Sequence, residues 1–158
     1  MPVVLRHNDE LELNRVEYHG SVTLAEIVAL AEYNAAHSTS LTYDSLSLVL
    51  PGAHFRSIEK ATLDNVFAQY RTLFEPLTFL ILRRSAWICQ SPAAEEHVSH
   101  WLGGRDTRQA MSTDVRKFDS FAEAGAWLIL NPEEIDQLER GEGFNEIVRY
   151  TIDPRLAR

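Results

Sequence analysis

The sequence predicts a single mixed α/β domain, and three observations support that fold class. A chain of 158 residues has the length of one domain. Strand-like segments alternate with segments that open on helix-start signals, an order typical of helices packed on a mostly parallel sheet. The composition, 45% hydrophobic and 24% charged, is that of a globular protein. We expect the domain to span residues 1–140, followed by a tail at residues 141–158.

Turn and capping residues mark the elements of the first half. Residues 2–18 predict an N-terminal hairpin, because two apolar runs flank a turn-prone Asn-Asp pair. Thr23, with a glutamate three residues later, predicts a capping box and the start of a first helix. Residues 45–50 predict a strand that a Pro-Gly pair ends. Ser57, a preferred capping residue, is predicted to open the second helix.

The second half continues the alternation. Residues 77–89 are rich in strand formers and predict either one bent strand or two short ones. Ser91, followed by a proline, opens a third helix that a pair of glycines ends. Residues 115–118 predict a short strand, and capping patterns at Ser120 and Asn131 open the last two helices. In the tail, a brief alternation predicts an edge strand, a contact across a homodimer or a loose end.

Bulk charge and cysteine content restrict the functional class. The formal net charge of −8 disfavours nucleic acid as a partner, because an acidic surface repels phosphates. Cys89 is the single cysteine, so no internal disulfide forms, and its apolar neighbours predict an inert thiol. The chain shows neither a signal-peptide pattern nor an apolar run of about 20 residues. We expect a cytoplasmic location and no membrane span.

Three segments resemble one known family. Residues 18–23, Tyr-His-Gly-Ser-Val-Thr, place a glycine and a hydroxyl before the first helix, and residues 48–55, Leu-Val-Leu-Pro-Gly-Ala-His-Phe, join a strand to the second helix. Residues 115–128 run from a short strand to a helix that ends in Trp-Leu. These segments resemble the SpoIIAA-like, or STAS, superfamily, the fold of bacterial anti-sigma factor antagonists. The resemblance implies a mixed sheet flanked by helices.

The resemblance also implies a non-enzymatic interaction or regulatory module with a protein partner. Signalling members of the family carry an Asp-Ser pair before the second helix, closely followed by glycine, and that serine is phosphorylated. The nearest equivalent is Ser57, preceded by Arg56, without the aspartate or the glycine. Phosphate on Ser57 would add about two negative charges at a helix N-terminus, next to Arg56. Ser57 is therefore a candidate phosphorylation site or only a helix cap, and the predicted docking surface is Ser57, Arg56, His54, Phe55, Ser21 and Thr23.

Two other functional classes remain open. The first is a carrier or sensor of an apolar small molecule or lipid, with Trp87, Trp101 and Trp127 either lining a pocket or packed in the core. The second is a metal-dependent enzyme using His97 and His100, which share a helix face. These histidines match no complete metal motif, so we predict no metal, no cofactor and no catalytic residues.

One loop is a candidate anion site. Arg105 and Arg108 follow a Gly-Gly pair, and two guanidinium groups on a flexible backbone can bind a carboxylate or phosphate. The loop follows a helix, whereas phosphate-binding loops precede one. A charged turn after the helix is the alternative interpretation.

Overall fold

A six-stranded mixed sheet forms the centre of the computed structural model, which describes residues 2–74, 83–103 and 113–150. The strand order is β5-β4-β3-β2-β1-β6. Strands β2 to β5 are parallel neighbours, and β1 is antiparallel to both β2 and β6. The predicted α/β class and N-terminal hairpin are confirmed, whereas the SpoIIAA-like assignment stays a prediction. The strands are β1 (Val3–Asn8), β2 (Leu13–Tyr18), β3 (Asp44–Val49), β4 (Arg83–Cys89), β5 (Thr113–Phe118) and β6 (Asn145–Tyr150).

Five α-helices within the described residues cover both faces of the sheet. They are α1 (Leu24–Ala36), α2 (Lys60–Phe74), α3 (Glu95–Leu102), α4 (Phe121–Trp127) and α5 (Pro132–Arg140). Helices α1, α2 and α3 pack on one face through Leu30, Leu63 and Val98. Helices α4 and α5 pack on the other face through residues that include Ala124 and Leu138. The order of helices and strands along the chain therefore produces a three-layer arrangement.

Strand β3 shows how the two faces differ. Its side chains alternate, so Leu46 and Leu48 point into the core under α4 and α5, while Ser45 and Ser47 face α1 to α3. All four side chains are buried. One face of the central strand thus carries two leucines, and the other carries two serines followed by the buried Val49.

The second helix begins later than predicted. Helix α2 starts at Lys60, and Ser57 lies exposed in the preceding turn. Phe55 and Ile58 are both buried, and the amide of Ile58 donates to the carbonyl of Phe55 at 2.9 Å. The chain therefore forms a tight turn that directs both apolar side chains inward before the helix begins, so Ser57 does not cap α2.

The predicted tail, residues 141–158, is described only as far as residue 150. Residues Asn145–Tyr150 form the edge strand β6 on β1, and residues 151–158 lie outside the described residues. Just before β6, helix α5 ends at Gly141, whose φ of 71° is the left-handed conformation that glycine tolerates. The guanidinium of Arg15 in β2 donates to the carbonyl of Leu138 at 2.5 Å, so the sheet holds the end of this helix.

No helix within the described residues is both long and apolar enough to cross a membrane. The longest of these helices, α2, presents a polar outer face. It contacts the sheet through buried residues such as Leu63 and Val66. Its amphipathic pattern is that of a helix lying on a protein core.

We expect the two capping positions to respond differently to substitution. Asn131 accepts from the amide of Glu134 at 2.9 Å, and Glu134 accepts from the amide of Asn131 at 2.9 Å. Asn131→Ala should therefore lower the free energy of unfolding by about 1 kcal/mol. Ser57→Ala should change it by less than about 0.5 kcal/mol, as is usual for exposed positions. Urea denaturation of both variants measures this, and an equal loss in the two would contradict the assignment of the caps.

Candidate functional site

A cavity of about 130 Å³ lies between the sheet and helices α1 to α3. The helices contribute aliphatic and aromatic side chains to it. The strands contribute the opposite wall. Its helical side contains the apolar residues Ile27, Leu30, Leu63, Phe67, Val98 and Trp101, together with Asn34, Tyr70 and His97.

Strand register places polar side chains side by side on the wall formed by the sheet. Asn14 in β2 pairs with Ser45 in β3, and Ser45 pairs with Ser85 in β4. We call these three residues the polar row. Central strands of parallel sheets normally carry Val, Ile or Leu, so hydroxyl groups here leave space that larger side chains would fill.

Polarity decreases along the strands from their amino ends to their carboxyl ends. Two residues beyond the polar row, Ser47 pairs with Val16 on one side and with Trp87 on the other. Trp87 stacks on Tyr18 with ring centroids 5.6 Å apart. Phe55 closes this end of the cavity. The carboxyl end of the cavity is therefore largely aromatic.

Hydrogen bonds hold the polar row in place. The Ser45 hydroxyl donates to the Ser85 hydroxyl at 3.2 Å, and the Asn14 side-chain amide donates to the carbonyl of Ser40 at 2.8 Å. The Ser40 hydroxyl in turn donates to Asn34 of α1 at 3.2 Å. These bonds link the amino end of the sheet to the end of the first helix. The polar row is thus fixed in orientation, which a recognition surface requires.

Arg83 and Tyr70 complete the amino end of the cavity. Burial lowers the pKa of Arg83 to about 10, an effect that Tyr70 and Asp44 partly offset. Burial raises the pKa of Tyr70 to about 12 and also raises the pKa of Tyr18. In each case the cause is the cost of holding a charge away from water. A cation and a phenol, each half-buried, therefore lie beside the polar row.

The six residues of the predicted docking surface separate in the structure. Ser21 and His54 form a parallel bridge, with the His54 amide donating to Gly20 at 2.8 Å. Ser21, Arg56 and Ser57 are exposed. The other members have different surroundings: Phe55 is buried in the cavity wall, and the Thr23 hydroxyl donates to Glu26 at 3.1 Å within the capping box of α1.

The two helix histidines contact different groups. His97 Nε2 donates to the carbonyl of Ile58 at 2.9 Å, and His100 Nε2 lies 3.1 Å from the carboxylate of Asp64. Across the described ranges, no three His, Cys, Asp or Glu side chains come together as a group able to hold a metal ion. The anion-site candidates Arg105 and Arg108 lie outside the described residues.

The three tryptophans do not share one environment. Trp87 and Trp101 line the cavity. Trp127 lies on the opposite face of the sheet, where the guanidinium carbons of Arg84 and Arg116 are 6.0 and 5.3 Å from its ring centroid. Trp87 and Trp101 are therefore the tryptophans positioned to contact a molecule in this cavity.

Sequence reasoning missed the polar row, Arg83 and Tyr70. The signal was the strict alternation in two strands, in which Ser45 and Ser47 alternate with leucines and Arg83, Ser85 and Trp87 occupy every second position. Alternation shows that these side chains share a face of their own strand. It does not show that the two strands are neighbours, which requires the sheet topology.

We expect alkaline pH to destabilise the fold partly through Tyr70. Its pKa is about 12 in the folded chain and about 10 in an unfolded one, so its stabilising contribution is complete below pH 10. That contribution is lost as the pH rises from about 10 towards 12, because the unfolded chain releases the proton first. Tyr70→Phe should therefore lose less stability than the wild type between about pH 10 and 12. Urea midpoints across this range measure the difference, and identical slopes would contradict it.

No family model matches this chain, and neither the curated proteins nor the solved structures contain a match. The functional interpretation therefore rests on the cavity and on the exposed turn at Ser57.

Proposed function

We propose that the protein binds a small, largely apolar molecule in the cavity between its sheet and helices α1 to α3, as a carrier or sensor. The main support is the row of buried hydroxyls opposite aliphatic and aromatic helix side chains. Close-packed native cores contain few spaces larger than a water molecule. A ligand would fill this space, and the combination of apolar walls with a few polar groups is typical of small-molecule sites.

The cavity volume limits the size of the ligand. About 130 Å³ is close to the roughly 150 Å³ of an engineered apolar cavity that binds benzene. A single ring or a short aliphatic chain is therefore the appropriate size. Trp101 stands edge-on to Phe67, with centroids 6.0 Å apart, and offers aromatic surface to such a group.

The hydrogen bonds of the polar row favour binding over catalysis. A nucleophilic serine needs a neighbouring base that accepts its proton. Here Ser45 donates to another serine, Ser85, at 3.2 Å. The Asn14 side chain interacts with a backbone carbonyl and with His7, whose Nδ1 lies 2.7 Å from the amide oxygen. These groups are arranged to orient one another and a bound molecule.

We expect benzyl alcohol to stabilise the wild-type protein, because it binds the folded state only. A ligand at about 100 times its Kd adds about 2.7 kcal/mol, which for a domain of this size raises the melting temperature by about 5–10 °C. Ser47→Leu should abolish this rise, since the larger side chain occupies the centre of the cavity. Scanning calorimetry and isothermal titration measure both effects.

Ser99→Leu is the matched control, because it makes the same chemical change at an exposed position of α3. This variant should keep the wild-type response to benzyl alcohol. Ser85→Leu provides a second cavity-filling variant if Ser47→Leu folds poorly. Binding that persists in both filled variants, or no binding by the wild type, would rule out the cavity as a ligand site.

A regulated protein-docking surface is a second candidate function. Arg56 and Ser57 are exposed in the turn before α2. The neighbouring His54 forms a parallel β-bridge with Ser21, which lies between β2 and α1. Two segments from different parts of the chain thus meet there. A phosphate on Ser57 would place its charge beside the Arg56 guanidinium, where charge-assisted hydrogen bonds form.

For this second candidate we expect Ser57→Asp to alter binding of a protein partner by about tenfold or more, with Ser57→Ala behaving as the wild type. The partner is first captured from native lysate, then purified and titrated against the three forms. Since Ser57 is exposed, all three should unfold at the same urea concentration. Equal affinities for the three forms would exclude regulation at this serine.

A further inference from the structure

Tyr18 brings a hydroxyl group to the aromatic end of the cavity. The residue is 8% exposed. Its ring stacks on Trp87 with centroids 5.6 Å apart and is tilted against Phe55 at 5.9 Å. These two large rings hold the phenol in one direction. Its hydroxyl is therefore a preorganised group, and a ligand that binds it need not order it first.

The Tyr18 hydroxyl is paired with the hydroxyl of Ser47 on the neighbouring strand. Ser47 is 5% exposed, and its side chain hydrogen-bonds to the phenol. The two side chains meet because Ser47 in β3 pairs with Val16, which lies two residues before Tyr18 on the same face of β2. Both Tyr18 and Ser47 line the cavity. The sheet topology thus creates a buried hydroxyl pair at the cavity wall.

This hydroxyl pair has one more proton than its own bond uses. Each hydroxyl carries one proton and two lone pairs, so a bond between two hydroxyls engages a single proton. A buried donor that lacks an acceptor loses its interaction with water, whereas an unused lone pair costs less. Burial raises the pKa of Tyr18, so the phenol keeps its proton at neutral pH. The pair therefore favours a ligand that brings an acceptor.

We propose that the natural ligand is a small uncharged ketone or aldehyde whose carbonyl oxygen accepts a hydrogen bond from the Tyr18 hydroxyl. This inference rests on the proposed function and specifies the ligand class. A carbonyl oxygen brings lone pairs and no proton, so it matches the surplus donor of the pair. An alcohol brings a proton of its own, which needs a further acceptor. The hydrocarbon part of the ligand packs against Leu30 and Leu63 on the helical side.

The phenol is well suited to hold an uncharged ligand. It is a stronger acid than the aliphatic hydroxyls of the polar row, so it donates a stronger hydrogen bond. The Ser47 hydroxyl, by donating to the phenol oxygen, polarises the phenol O–H further. At the amino end of the cavity, Tyr70 and Asp44 already interact with Arg83. The site therefore requires no charged head group there.

Cyclohexanone and cyclohexanol form the test pair, because they share a six-membered ring and differ only in the oxygen group. The wild type should bind cyclohexanone at least about fivefold more tightly than cyclohexanol. Tyr18→Phe combined with Ser47→Ala removes both hydroxyls, so neither partner is left unsatisfied. In this variant the two affinities should agree within about twofold. Isothermal titration measures all four affinities.

Ser45→Ala combined with Ser85→Ala is the matched control, because it removes the other hydroxyl pair of the same wall. This variant should keep the wild-type preference for the ketone. Infrared spectroscopy adds a second measurement, since a hydrogen bond weakens the C=O bond. The carbonyl stretch of bound cyclohexanone should lie at a lower wavenumber in the wild type and in this control than in the Tyr18→Phe, Ser47→Ala variant.

The outcomes separate this inference from the proposed function. If neither cyclohexanone nor benzyl alcohol binds the wild type, both fail. If benzyl alcohol binds but cyclohexanone binds no more tightly than cyclohexanol, the cavity is a ligand site and the ketone class is wrong. This wild-type comparison decides the question even if the Tyr18→Phe, Ser47→Ala variant does not fold. A preference that survives in that variant, or disappears in the serine control, would also overturn the inference.

Discussion

The parallel pairing of β2, β3 and β4 is the constraint on which the rest of this structure depends. Its register aligns Asn14, Ser45 and Ser85, which come from three separate strands of the sequence. A shift of one residue in any strand would exchange its two faces and replace hydroxyls by leucines or an arginine. The cavity, its polar end and its aromatic end all follow from this single alignment.

The opposite face of the sheet compensates for the space left on the cavity side. There Leu13, Leu46 and Leu48 pack under α4 and α5 with almost no exposure. Arg15, buried on that face, contacts the end of α5, and its Nε lies 3.1 Å from the Glu17 carboxylate. Breaking a buried ion pair of this kind costs about 3–5 kcal/mol. The separate hydrogen bond from Arg15 to the Leu138 carbonyl joins the sheet to the end of α5. The face under α4 and α5 is closely packed, and the face under α1 to α3 contains the cavity.

One short segment of the chain contributes both to the cavity wall and to the exposed turn before α2. Phe55 lines the cavity, and Ser57, two residues later, is exposed to solvent. The turn hydrogen bond from Ile58 to Phe55 connects the two at 2.9 Å. The ligand-binding and docking proposals therefore concern neighbouring surfaces, and each remains testable without the other, because Ser47 lies inside the cavity and Ser57 outside it.

The sequence by itself determined the α/β class, the N-terminal hairpin and the starts of the last two helices, because turn residues and capping boxes act within a few positions of the chain. It misplaced the start of α2, because the turn before that helix forms when Phe55 and Ile58 are buried in the core, and such tertiary contacts are not visible in the local sequence. It could show that Ser45 and Ser47 share a face, and that Arg83 and Ser85 do. Only the tertiary structure decided that these faces are adjacent and covered by α1 to α3. The reason is that strand order and register depend on pairing between residues about 40 positions apart in the sequence.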